Sequence, residues 1–139
     1  MRGQVRNSLI QNAPYTVRVT TNEDTIKRYF AAWEAQEVES LPEIFTEDAL
    51  YVVHPFGVEE HKGLPAITEY WNAQFIANQV HPKPVALTKL VGYNRVFVEW
   101  QCDFATPAGE NKRMRGIMVL EFKNGLIAEL REHSDIQEI

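Results

Sequence analysis

The sequence predicts an α+β fold, with helices in the first half of the chain and a sheet of consecutive antiparallel strands in the second. Residues 26–33 and 64–75 carry apolar side chains at steps of three and four, the spacing of one helix face. Residues 95–104 instead alternate inward apolar side chains with mostly polar ones, as in a half-buried strand. Asn124-Gly125 is the dipeptide most typical of a two-residue hairpin. Helices are therefore expected to cover one face of the sheet.

The first helix is expected to begin near "TNED", where Thr21 or Asn22 can cap it. Its apolar face consists of four residues at helical spacing: Ile26, Tyr29, Phe30 and Trp33. Ser40 and Glu43 have the spacing of a capping box. They predict a short second helix that ends near Thr46.

A third helix is expected from Pro65 to about Asn78, because proline is tolerated in the first helical turn. Its apolar face has the same spacing and contains Leu64, Ile67, Trp71 and Phe75.

The remaining segments predict strands, with "PAGEN" as a hairpin loop and "EEHKG" as either an edge strand or a loop. The other predicted strands are "DALYVVHPFG", "PVALTKLV", "RVFVEWQCDF", "KRMRGIMVLEF" and "LIAELREHSD".

The length of 139 residues predicts a single domain, with residues 1–20 as an N-terminal extension and residues 21–139 as the domain. The net charge of −5, with no run of Lys or Arg, argues against partners such as nucleic acid or an anionic membrane. Cys102 is the single cysteine, which excludes an internal disulfide and favours a reducing, cytoplasmic location.

Four fragments, in this order, resemble the NTF2-like superfamily and its SnoaL-like, ketosteroid-isomerase-like branch: "YFAAWEAQEVESLPEIFTEDA", "HPFG", "KGLPAITEYW" and "NGLIAELREHSD". The resemblance covers roughly residues 24–135. It implies a cone-shaped, curved antiparallel (mixed) sheet wrapped around three helices, with an apolar pocket inside. The superfamily includes isomerases, cyclases, epoxide hydrolases, dehydratases and non-catalytic modules, so the fold alone does not define the function.

The resemblance to ketosteroid isomerases implies roles for particular positions. In those enzymes an aspartate is the base, and a tyrosine and a protonated aspartic acid form the oxyanion hole. Here His54 falls at the position of the base and Tyr29 at that of the oxyanion-hole tyrosine. Met118 replaces the second aspartic acid and Trp71 a supporting tyrosine, which argues against ketosteroid isomerisation itself.

The epoxide-hydrolase branch uses an Asp-Arg-Asp cluster, and Arg131-Glu132 occupies the place of its Arg-Asp pair. The strand "VEWQCDF" offers no acid and arginine on its inward face, where Trp100 and Cys102 lie. This departure argues against an epoxide hydrolase.

Glu132 and Ser134 share the inward face of the last strand with Leu126, Ala128 and Leu130, if that strand alternates regularly. An unpaired Glu132 in an apolar pocket would have a raised pKa and could act as a general acid or orient His54. The alternatives are a salt bridge to an arginine, or an outward-facing carboxylate.

His54 could shuttle a proton near neutral pH, or it could simply end a strand and bind a backbone carbonyl. Tyr29 could donate to a substrate oxygen, or belong to the core. The other predicted ligand-binding residues are walls of the pocket: Trp33, Phe56, Trp71, Phe75, Val98, Trp100, Cys102, Met114, Met118 and Ser134. These side chains could equally fill the pocket. No histidine, cysteine or glycine spacing indicates a metal or phosphate site, so no cofactor is expected.

The opposite face of the sheet carries apolar residues that predict a homodimer, in line with the back-to-back sheets of this fold: Phe97, Ile117, Val119 and Ile127. The sequence thus predicts a protein that binds a small apolar or aromatic molecule. Either it catalyses a cofactor-free isomerisation, cyclisation, dehydration or hydrolysis with His54, Glu132 and Tyr29, or it is a non-catalytic binding or dimerisation module.

Overall fold

The computed structural model describes residues 21–53 and 59–139. The helical elements are α1 (Asn22–Ala35), a 3-10 helix (Val38–Glu43) and α2 (Leu64–Trp71), which continues as a π-helical turn (Asn72–Ile76). The strands are β1 (Phe45–Val53), β2 (Glu59–Lys62), β3 (Val80–Val91), β4 (Arg95–Ala105), β5 (Asn111–Lys123) and β6 (Leu126–Glu138).

The described strands form one six-stranded sheet in the order β2-β1-β6-β5-β4-β3. The strands β3 to β6 pair antiparallel with their neighbours in sequence, whereas β1 pairs parallel with β6. The sheet is therefore mixed, and the helices pack on its inner face. This arrangement confirms the predicted α+β fold with a curved sheet around three helices. Of the two alternatives for "EEHKG", an edge strand or a loop, the structure shows the edge strand, over Glu59–Lys62.

The first helix begins and packs as its sequence predicts. Thr21 is the N-cap, and its Oγ1 accepts a hydrogen bond from the Asp24 N–H at 3.0 Å. Ile26, Tyr29 and Trp33 are buried on the face towards the sheet. Asn124 has a φ of 54° and Gly125 a φ of 80°, and the predicted two-residue hairpin requires positive φ at both positions.

The second helix differs from its prediction. It is a 3-10 helix that begins at Val38, and the predicted capping box is not formed. The Ser40 hydroxyl instead donates to Glu37 Oε1 at 2.9 Å, so it is not available to cap a helix that would start after it. The third helix also ends earlier than Asn78, because its last turn is π-helical and closes at Ile76.

The prediction that Ile127 lies on the outer face is wrong. Glu121 pairs with Glu129 but the next residue, Phe122, pairs with Ile127, so β6 carries one extra residue, Ala128. This β-bulge shifts the alternation by one position and turns Ile127 into the core, where it is fully buried. For the same reason Ala128 is not one of the buried residues of the inner face.

Within residues 21–53 and 59–139, no helix combines the length and the apolar character that crossing a membrane requires.

Candidate functional site

A cavity of about 210 Å³ lies between α1, the π-helical turn and the inner face of the sheet. The described residues that line it are Trp33, Val53, Glu59, Tyr70, Gln74, Phe75, Gln79, Trp100, Met114, Glu132, Ser134 and Ile136. Gln74 and Ile136 are exposed, so the cavity opens to solvent on their side.

Trp33 organises the aromatic wall of the cavity. Its ring stacks on Phe75 at a centroid distance of 4.9 Å and meets Trp100 edge-on at 5.1 Å. Its indole N–H donates to Gln79 Oε1 at 2.8 Å. Helix α1 supplies Trp33, the π-helical turn supplies Phe75 and β4 supplies Trp100, so three elements of the fold meet at one side chain.

Gln36 fixes the chain beneath this wall. It ends α1 in the left-handed region, at φ 55°, and its Nε2 donates to the carbonyls of Phe75 and Gln79 at 2.7 Å each. These two bonds tie the π-helical turn and the start of β3 to the end of α1. The Gln79 side chain is 4% exposed, and its carboxamide oxygen is held by Trp33.

Glu132 is the acidic group deepest in the cavity. It lies on the inner face of β6, is 8% exposed, and has no ion-pair partner among the described residues. Burial raises its pKa to about 7; a hydrogen bond from Tyr51 lowers the pKa somewhat, and the nearby charge of Glu59 raises it. Near neutral pH this carboxyl can therefore hold or release a proton.

A chain of tyrosines leads away from Glu132. The Tyr51 hydroxyl donates to Glu132 Oε2 at 3.5 Å, and the Tyr29 and Tyr51 hydroxyl oxygens are 3.2 Å apart. Burial, followed by the negative charge of Glu132, raises the pKa of both tyrosines well above the usual value of 10. Both phenols are therefore neutral at physiological pH and can donate hydrogen bonds.

A second carboxyl, that of Glu59, lies at the rim. Its Oε2 is 2.9 Å from His61 Nε2, and the His61 ring packs on Tyr70 with centroids 4.3 Å apart. Burial raises the pKa of Tyr70, and the charges of Glu132 and Glu59 raise it further. The cavity therefore has a carboxyl inside, another at its rim, and a neutral phenol near both.

The structure brings together several residues that the sequence singles out. Those that line the cavity are Trp33, Phe75, Trp100, Met114, Glu132 and Ser134. Others lie in the core and do not line it: Tyr29, Trp71, Val98, Cys102 and Met118. His54 and Phe56 lie outside the described residues. Burial raises the pKa of the Cys102 thiol to about 12, so this thiol is not a nucleophile at neutral pH.

Sequence reasoning missed Tyr51, Glu59, Tyr70 and Gln79. Tyr51 could have been found, because it alternates with Val53 and so shares the inner face of β1. Glu59 begins β2, Tyr70 is the next-to-last residue of α2 and Gln79 directly precedes β3, and periodicity carries little information at such positions.

The salt bridge considered for Glu132 is not formed within the described part of the chain. Arg131 points to the outer face, where its Nη1 contacts both Glu121 and Glu129. Over the same residues, no group of three His, Cys, Asp or Glu side chains has the arrangement of a metal site.

The family described as "SnoaL-like domain" matches residues 26–130. No curated protein matches the chain significantly in sequence. Several solved structures share the fold. A hypothetical protein from Catenulispora acidiphila DSM 44928, with a ketosteroid isomerase-like fold and in complex with trimethylamine, aligns with a TM-score of 0.70 and 18% identity, over 82% of this chain and 86% of that one.

Two further structures are similar to the same extent. A candidate SnoaL-like polyketide cyclase from Jannaschia sp. CCS1 has a TM-score of 0.72 and 18% identity, over 88% of this chain and 92% of its own. A candidate isomerase from Bacillus subtilis has a TM-score of 0.70 and 24% identity, with coverages of 82% and 86%. At these identities the likeness concerns the fold.

Proposed function

Because the chain belongs to the SnoaL-like family of the NTF2-like superfamily, we propose that its cavity binds a small apolar or aromatic molecule and that Glu132 exchanges a proton with it. The observation that carries this proposal is the buried Glu132 carboxyl, with a pKa of about 7, in a cavity walled by aromatic rings. A general acid or base is most effective when its pKa is near the working pH.

The reaction class follows from the groups around the cavity. Ionised Glu132 can take a proton from a carbon acid, and the protonated acid can return it, without a redox or phosphate cofactor. Tyr51 donates to Glu132 Oε2 and so orients the carboxyl. An isomerisation, an aldol-type cyclisation or a dehydration needs this transfer, and similar folds include a candidate polyketide cyclase and a candidate isomerase. His54, which follows the cavity residue Val53, is proposed as a second proton carrier.

We expect the protein to accelerate ring opening of 5-nitrobenzisoxazole, a small aromatic probe of proton abstraction. A base removes the C–H proton, the N–O bond breaks, and the coloured phenolate product is followed by absorbance. Glu132→Gln should lower the rate at pH 8 by about a hundredfold, because a positioned base typically contributes 10²–10⁴-fold.

Glu129→Gln is the matched control, since it makes the same change on the outer side of β6, where Glu129 pairs with Arg131. It should keep the wild-type rate. Equal rates for the wild type, both variants and buffer would show that Glu132 is not a working base.

A non-catalytic binding protein of the same fold is the second candidate. It is favoured by the tight packing around the cavity, where Trp33 contacts both Phe75 and Trp100 directly. This candidate predicts that 5-nitrobenzisoxazole binds without turnover, so binding measured by tryptophan fluorescence separates the two functions.

We also propose a homodimer through the outer face of the sheet. Phe97 and Ile117 lie there on adjacent strands and are 45% and 54% exposed. Apolar side chains this exposed at the centre of a sheet face are typical of an interface.

Ile117→Glu is expected to convert the dimer to a monomer in size-exclusion chromatography with light scattering, because it would bring like charges together across a two-fold axis. Tyr93→Glu, at a 93% exposed hairpin position, is the control and should leave the dimer intact. A monomeric wild-type protein would contradict the proposal.

A further inference from the structure

The charged groups among the described lining residues of the cavity are all acidic. Its described lining contains two carboxyl groups, Glu59 and Glu132, and no Lys, Arg or His. His61 contacts Glu59 Oε2 at the rim, and Arg131 is held on the outer face by Glu121 and Glu129. Glu132 is thus an acid in the cavity without a cationic neighbour among the described residues.

Glu132 is also incompletely partnered. More than nine-tenths of the residue is buried, and its only hydrogen bond among the described residues is a long one from Tyr51, at 3.5 Å to Oε2. Burying a carboxylate without a counter-charge costs desolvation free energy, and a bound cation would offset much of that cost. The cavity is the free space beside it.

The rest of the wall suits a cation. Four of the described lining side chains are aromatic: Trp33, Tyr70, Phe75 and Trp100. The faces of such rings carry negative electrostatic potential and attract ammonium groups, and the attraction is strongest where water is excluded. Carboxyl groups and aromatic side chains around one space thus suit an organic cation.

We infer that the cavity of this protein binds a small organic ammonium ion, with Glu132 as its counter-ion and the aromatic side chains of the cavity wall against its alkyl groups. The volume of about 210 Å³ limits the ligand to a molecule smaller than typical drug-sized ligands. The inference rests on the proposed function in that it uses the same cavity, and it adds the charge of the ligand.

The test compares two probes that have the same shape and differ in charge: choline and its neutral carbon analogue 3,3-dimethyl-1-butanol. Titration calorimetry at pH 8 should show choline binding at least tenfold more tightly to the wild-type protein. Glu132→Gln should abolish this preference, and Glu59→Gln should reduce it several-fold. Glu60→Gln, an exposed change on the same edge strand, is the control and should leave it unchanged.

Equal or tighter binding of 3,3-dimethyl-1-butanol would overturn the inference, as would the failure of choline to bind. Retention of the choline preference in Glu132→Gln would also overturn it, because the counter-ion would then be another group. None of these results decides the proton-transfer proposal, since 5-nitrobenzisoxazole is neutral and reports on Glu132 as a base independently.

Discussion

At pH 8 the Glu132→Gln variant is expected to be more stable than the wild-type protein by about 2–3 kcal/mol, whereas at pH 5 the two should differ by less than about 1 kcal/mol. This is a large effect for one buried side chain that touches no ion pair in the described structure. It arises because the folded protein must hold Glu132 in a place where its ionised form is poorly solvated.

The sign of this effect follows from the two pKa values. Folding raises the pKa of Glu132 from the ordinary 4.5 to about 7, so between these pH values the folded state binds the proton more tightly than the unfolded state. The stability that protonation provides is complete below about pH 4.5 and is lost as the pH rises through 7. Glutamine stays neutral throughout and therefore does not suffer this loss.

Urea unfolding at several pH values between 5 and 8 measures the difference directly. Glu129→Gln serves as the control, because the partly exposed pair of Glu129 with Arg131 should contribute little to stability and should not show this pH dependence. Parallel stability curves for the wild type and Glu132→Gln would mean that Glu132 is ionised and well partnered in the folded protein. If the expected curves are found, the protein maintains an acid that destabilises it at neutral pH, which is typical of a functional group.

Much of the fold could be predicted because its core follows simple periodicities. The helical spacing of Ile26, Tyr29 and Trp33 identified the buried face of α1, and the alternation of Val98, Trp100 and Cys102 identified the inner face of β4. Each of these patterns is local, so it can be read without knowing what packs against it.

The limits of the prediction lie where local patterns break. The bulge at Ala128 places Ile127 in the core and not on the predicted outer face, but Leu130 and Glu132 stay on the inner face as predicted. One extra residue shifts the alternation of side chains only on one side of the bulge. The contact between Tyr51 and Glu132 joins β1 to the parallel strand β6, and nothing in the sequence specifies that pairing. A site that is assembled by pairing of strands distant in the sequence can be identified only from the structure.

Gly116→Ala is expected to destabilise the protein by about 3 kcal/mol and to lower Tm by roughly 10 °C. Gly116 lies on β5 directly between Trp100 on β4 and Ser134 on β6. A Cβ added there would lie 2.6 Å from Cζ2 and 2.8 Å from Cε2 of Trp100, and also too close to the backbone oxygen of His133. The indole ring of Trp100 can pack this closely against the backbone because position 116 has no side chain.

Arg115→Ala, the neighbouring outward-facing position, is the control for thermal unfolding and should change Tm by only a few degrees. Combining Gly116→Ala with Trp100→Leu should cost less than the sum of the two single changes, by at least about 1 kcal/mol, since the smaller side chain removes one of the clashes. If the two changes in stability instead add up, the added methyl group clashes with the His133 carbonyl and not with Trp100.

The cavity is the space beside Trp100, so an indole ring displaced by the added methyl group would enter it. Gly116→Ala should therefore also weaken binding of 5-nitrobenzisoxazole, because the displaced Trp100 ring would reduce the volume of the cavity.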